Sequence, residues 1–279
     1  MADRNEKQVF ISYSRYDYLD SNKQVISGNN ILTQTMKCFW VGLALTFSIC
    51  VNAQPTGERA FFTTKEMPDI TRILKSPPKE GTPAFDYDIK CYMQGKEQRA
   101  DSFRCSIAIR DAVYGIETIA HEFSVPFGLL ISKDNTPQIY ELLERSLATC
   151  DSICTNPKKF WHRKRPFAYF NESTLTPQED DYLKTNGSYP SGHTILGYSA
   201  ALLLTEINPE RADTLMSRGI MYGDSRIIVG AHWNSDVEAG RLAASIAYTR
   251  LHTNRQFLKQ MKRAKKEFLR IRKRTNHTK

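Results

Sequence analysis

The sequence predicts an all-α protein organised as one compact helical domain, and three observations predict it. Apolar residues recur at three- and four-residue steps in five long segments beyond residue 108; long alternating strands are missing; and no internal repeat or low-complexity stretch interrupts the pattern. The chain has 279 residues, 41% hydrophobic and 25% charged, with 14 Gly and 12 Pro spread along it. That is enough material for a sizeable core, and it excludes wholesale disorder and collagen-like repeats.

Taken in order, residues 1–35 are a polar extension and residues 36–53 read as a secretory signal. Lys37 precedes a 14-residue apolar run, Cys38–Val51, followed by small residues at a cleavage site between Ala53 and Gln54. A spanning helix needs about 20 apolar residues, so the run is too short to cross a membrane. The alternative is a buried core helix. Because a signal behind 35 polar residues would be poorly presented for export, Met36 is the expected start of translation. Export leaves four cysteines, Cys91, Cys105, Cys150 and Cys154, in a compartment that permits disulfides. Three pairings are open; Cys91 with Cys105 and Cys150 with Cys154 closes the shortest loops, and free buried thiols are the alternative.

A domain is expected over residues 54–254. Residues 54–108 are rich in Pro, Asp, Lys and Tyr and read as loop with short helical pieces, punctuated by Pro77, Pro78 and Pro83. Helices are expected over Arg110–Phe123, Thr136–Thr155, Thr194–Ile207, Pro209–Val229 and Ser235–Leu251. Residues 255–279 form a basic tail in which Phe257, Met261, Ala264, Phe268 and Ile271 recur at helical spacing. The tail carries 11 basic residues against the single acid Glu267; since the whole chain is +9 and the tail +10, the remainder is −1. A basic tail on a near-neutral body gives no expectation of a nucleic-acid partner. It reads either as a contact with an anionic surface or as a helix docked on its own domain or on a partner in a homodimer.

Three clusters carry chemistry. In Lys158–Pro166 (KKFWHRKRP), five of nine residues are Lys or Arg. Lys158 as a point charge and Arg165 as a bidentate fork can hold a phosphate together; the alternative is a solvated basic loop. In Gly187–Thr194 (GSYPSGHT), Ser191 and Gly192 open an apolar helix, whose free N–H groups suit an anion, and His193 projects from the same turn. Read blandly, Ser191 is only a helix cap. In the third cluster, Arg226 is followed by His232 and then Asp236, which would lie in the first turn of a helix and receive the imidazole Nδ1–H. An ordinary surface pair is the alternative there. No metal-ligand constellation is visible, so no metal and no cofactor are expected.

Lys, six residues, Arg-Pro; Pro-Ser-Gly-His; and Ser-Arg, five residues, His, three residues, Asp together resemble the signature of the phosphatidic acid phosphatase type 2 and vanadium haloperoxidase superfamily. The flanking NGSYPSGHT (186–194) and YGDSRIIVGAHWNSDVEAGR (222–241) are similar to the bacterial class A non-specific acid phosphatases, over about residues 70–250. The resemblance implies the all-α fold of that superfamily and hydrolysis of small phosphorylated substrates. It assigns His232 as nucleophile, Asp236 as its orienting partner and His193 as proton donor to the leaving group. It also assigns Lys158, Arg165, Ser191, Gly192 and Arg226 to the phosphate. It implies an acidic optimum, no metal requirement and inhibition by vanadate; vanadate-dependent halide oxidation is the nearer rival. Separately, Gln8–Asp17 (QVFISYSRYD) resembles the start of a TIR domain, a fragment too short to fold alone, so a fusion scar or mis-called start is expected over a signalling module.

Overall fold

The computed structural model describes residues 60–277; the TIR-like fragment and the signal segment lie outside them. Among the described residues there is no β-strand. The helices are α1 (Pro83–Glu97), α2 (Ser102–Ala112), α3 (Ile116–Phe127), α4 (Pro137–Ser152), α5 (Thr155–Trp161), α6 (Pro166–Tyr169), α7 (Asp180–Thr185), α8 (Gly192–Ile207), α9 (Ala212–Val229), α10 (Asn234–Leu251) and α11 (Arg255–His277). The expected all-α class is what the chain adopts.

Two elements differ from the sequence reading. Pro83 does not break structure; it opens α1 at the first helical position, where a missing N–H costs nothing, and Thr82 Oγ1 accepts from the Phe85 N–H at 3.3 Å. The helix expected over Arg110–Phe123 is two helices. Asp101 caps α2 by accepting from the Phe103 and Arg104 N–H groups, and the chain then stops at Val113–Gly115, where Gly115 holds φ 151°, a value side-chain-bearing residues rarely adopt. The chain restarts as α3.

α8 is apolar on nearly every side and becomes the central rod, packed along α9, α10 and α4. Its approach to α9 is close because glycines permit it: a Cβ on Gly197 would stand 2.4 Å from the Tyr222 ring, and one on Gly219 2.6 Å from Ala201 Cβ. α11 docks on the domain itself. Phe257, Met261, Ala264 and Phe268 are buried against α4 and α8, with Phe257 edge-on to Phe61 and Phe268 beside Phe127. The apolar face is thus docked on the chain's own domain, one of the readings its spacing offered, and the cations point outward. Buried Glu267 completes the joint, its Oε2 accepting from the Gln138 and Ile139 N–H groups at 3.0 Å each, at the N-terminus of α4. Cys91, Cys105, Cys150 and Cys154 are all thiols, so neither local disulfide pairing forms.

Candidate active site

The three sequence clusters converge on the N-terminal end of α8. α9 ends at Gly230, left-handed at φ 92°, and the turn delivers His232 just ahead of α10, with Asp236 in that helix's first turn as expected. Nδ1 of His232 lies 3.4 Å from Asp236 Oδ2, and 3.4 Å from Ser188 Oγ, which itself donates to that same carboxylate oxygen. With Nδ1 facing an acceptor, Nε2 carries the lone pair; Arg165 Nη1 donates to it at 2.9 Å.

Asp236 is fully buried and held from several sides. It accepts from the Trp233 N–H at 2.8 Å and from Arg163 Nη1 at 2.6 Å. Arg163 is clamped in turn by Asp88 Oδ2 at 2.7 Å and Ser235 Oγ at 2.7 Å, and Asp88 also receives the Ser235 N–H and hydroxyl. Ser188, Arg163 and Asp88 were not singled out from the sequence. The first two lie inside the recognised clusters; Asp88 sits on α1, 148 positions from Asp236 along the chain, and carries no local signal.

Lys158, Arg165, Gly192, His193 and His232 line one cavity of about 510 Å³. Lys158 Nζ donates to the Gly187 carbonyl at 2.8 Å, and burial followed by the Arg165 charge pulls its pKa down to about 8. Arg165 is held by the carbonyls of Leu183, Asn186 and Ala231 at 2.9–3.0 Å, and burial followed by the Arg226 charge lowers it to about 10. Ser191, Arg226 and Asp236 are completely buried and are not among the residues that line the cavity. Ser191 caps α8, accepting from the Thr194 N–H and hydroxyl, which leaves its own proton available to another acceptor.

Arg226 stands out because its Nε, Nη1 and Nη2 are all buried without a hydrogen-bond partner among the described residues. Such a guanidinium is costly unless an anion completes it. Its charge reaches both histidines. His193, whose Nε2–H donates to the Ala112 carbonyl at 2.9 Å, has its pKa held well below 6.5 by burial and then by Arg226. His232 is held down by burial and then by Arg165, Lys158 and Arg226. All the residues selected from the sequence thus meet in one place. Lys158, Arg165 and Arg226 surround a neutral imidazole whose Nε2 lone pair accepts from Arg165, and a second imidazole faces the same cavity: a setting that can hold an oxyanion and offer its central atom a nucleophile and a proton carrier.

Known proteins resemble this chain over most of its length. Residues 145–259 match the PAP2 superfamily. The chain is 39% identical over 206 residues to the non-specific acid phosphatase of Providencia stuartii, covering 74% of this chain and 83% of that protein. It is 39% identical over 208 residues to the non-specific acid phosphatase of Salmonella typhimurium, with the same coverage. To the acid phosphatase of Zymomonas mobilis it is 34% identical over 199 residues, covering 71% of this chain and 75% of the other. With this identity sustained across most of both partners, the chain belongs to the PAP2 superfamily and, within it, to the class A non-specific acid phosphatases.

Proposed function

We propose that the protein is an exported acid phosphatase that hydrolyses phosphate monoesters of broad specificity through a phosphohistidine, without a metal ion. The observation that carries this reading is Arg226, a buried guanidinium with every nitrogen unpartnered among the described residues, placed so that its charge acts on both His193 and His232. A phosphoryl group supplies the oxygens that it lacks.

In this reading Lys158, Arg165 and Arg226, with the Ser191 hydroxyl and the Gly192 N–H, hold the non-bridging oxygens, where charge concentrates in the transition state. His232 Nε2 attacks phosphorus in line; the P–O bond to the leaving group breaks, and His193, entering the step as the imidazolium with Nε2–H still on the Ala112 carbonyl, gives its Nδ1 proton to the departing alkoxide. Asp236 keeps Nδ1–H in place and offsets the positive charge of the phosphorylated ring. Water, deprotonated by His193, then attacks phosphorus, releasing phosphate and restoring His232. The cationic cage does the charge neutralisation that a divalent metal performs elsewhere. Export to the periplasm rests on Lys37, the apolar run Cys38–Val51 and the small residues before Gln54.

The test is hydrolysis of p-nitrophenyl phosphate between pH 4 and 9 in the presence of EDTA, beside His232→Ala. The expected outcome is activity peaking below neutrality, insensitive to EDTA and reduced by roughly 10³ or more in the variant. Activity abolished by EDTA would overturn metal independence. Activity retained in His232→Ala would overturn the nucleophile.

A further inference from the structure

The cavity contains a carboxyl group that the mechanism above does not use. Asp151, near the C-terminal end of α4, lines the cavity beside Lys158, Gly192 and His193. Its Oδ2 accepts from Tyr114 Oη at 2.7 Å, and the Tyr114 ring stands edge-on to the His193 imidazole with centroids 5.4 Å apart. Its Oδ1 lies 3.5 Å from the point where a Cβ on Gly192 would be, and the thiol of Cys154 reaches it only at 4.0 Å. A carboxyl oxygen thus abuts the first residue of α8, which is where the anion is to sit.

A carboxylate there is a puzzle. Among an enzyme's phosphate ligands an ionised acid repels the substrate, whereas a protonated one donates a hydrogen bond to it. The groups facing Asp151 decide which form prevails. They are Tyr114 from the α2–α3 connection, Cys150 on its own helix, Cys154 at the α4–α5 junction, Lys158 on α5 and His193 on α8. Of these only Lys158 is a cation near enough to favour ionisation, and it acts through space while its Nζ is bonded to the Gly187 carbonyl. Asp151 is half-buried, and its desolvation outweighs both the Lys158 charge and the Tyr114 hydroxyl, so the carboxyl is raised above the ordinary aspartate value.

Building on the phosphatase reading, we propose that Asp151 is a further substrate-binding residue. As an acid it donates a hydrogen bond to a non-bridging phosphate oxygen, and as a carboxylate it repels the phosphate, so affinity falls as pH rises. It would place part of the acidic preference in binding, separate from the proton held by His193.

The probe is inorganic phosphate, titrated calorimetrically onto the wild-type protein, Asp151→Asn and Tyr114→Phe between pH 4.5 and 7. Phosphate changes its own ionisation over this range, identically for all three proteins, so the informative quantity is the ratio of wild-type to variant Kd. Asn is a permanent donor. The ratio for Asp151→Asn should therefore rise by at least tenfold from pH 4.5 to 7, because like charges a few ångströms apart cost more than that factor even under strong screening by protein and water. Tyr114→Phe keeps the ring against His193 and removes the bond that favours the ionised carboxyl, so its affinity should persist to higher pH than wild type. A flat ratio for Asp151→Asn overturns the proposal, as does a Tyr114→Phe profile displaced toward lower pH; the second measurement decides the matter if the first variant fails to fold. Because binding is read directly, a chain that binds phosphate with this pH dependence but shows no His232-dependent turnover would count against the phosphatase reading and leave Asp151 standing.

Discussion

Replacing Arg226 by Met should make the protein more stable and nearly inactive at once. The side chain is completely buried, and none of its three nitrogens has a hydrogen-bond partner among the described residues. Exchanging a buried charge for an apolar side chain of similar length is often neutral or stabilising, by about 1–4 kcal/mol, and an uncompensated charge lies at the favourable end. For a domain of this size each kcal/mol moves Tm by about 2–4 °C. In phosphate-free buffer the variant should therefore melt several degrees above wild type. Adding phosphate should raise Tm of the wild-type protein more than that of the variant, since a ligand that binds only the folded state stabilises it by RT ln(1 + [L]/Kd). Turnover of p-nitrophenyl phosphate should fall by roughly 10²–10³, the usual consequence of removing one donor from a preorganised oxyanion site. The assay is differential scanning fluorimetry with and without phosphate, beside initial rates. A variant that melts well below wild type without phosphate would show that Arg226 is a structural cation, and the argument from its missing partners would collapse.

Other outcomes follow from the same geometry. His193 and His232 both have folded-state pKa values pushed well below the ~6.5 of a free imidazole, so the folded protein binds fewer protons than the unfolded one, and stability present above pH 6.5 should be lost as pH falls below it. Denaturant midpoints from pH 7.5 to 4.5 should show this fall, with a smaller slope in a His193→Asn, His232→Asn double variant; an equal slope would remove these histidines as its source. Glu267→Ala strips two N–H groups at the start of α4 of their acceptor and should cost about 1–2 kcal/mol, read as a lower Tm with kcat unchanged. Gly197→Ala places a methyl 2.4 Å from the Tyr222 ring and should destabilise by about 1–3 kcal/mol or more; a Tm within 1 °C of wild type would mean the α8–α9 contact is looser than described.

Much of the active site was legible in the sequence because its chemistry is local. Ser191 to Thr194 is a helix start, and His232 and Asp236 are separated by one helical turn, so short-range geometry placed these pairs before any tertiary contact was known. Lys158 and Arg165 were legible as a dense basic cluster ahead of a proline. The long helices α4, α8, α9 and α10 followed from the periodicity of their buried faces. α1 was missed because three prolines obscured it, one of them standing at a helix start where it is harmless. The merged reading of α2 and α3 failed because periodicity continues through a break in the helix that Gly115 makes possible.

What the sequence by itself determined is thus the all-α class and which clusters of polar and basic residues to bring forward as candidates, both written in short spacings along the chain. The tertiary structure alone decided how those groups are held and charged. Asp88 on α1 reaches Asp236 on α10 through Arg163, Asp151 on α4 comes to lie against Gly192 on α8, and the tail buries its apolar face on α4 and α8. The physical reason is that desolvation and ion pairing depend on which surfaces are pressed together across long stretches of chain. Such long-range packing leaves no period in the sequence.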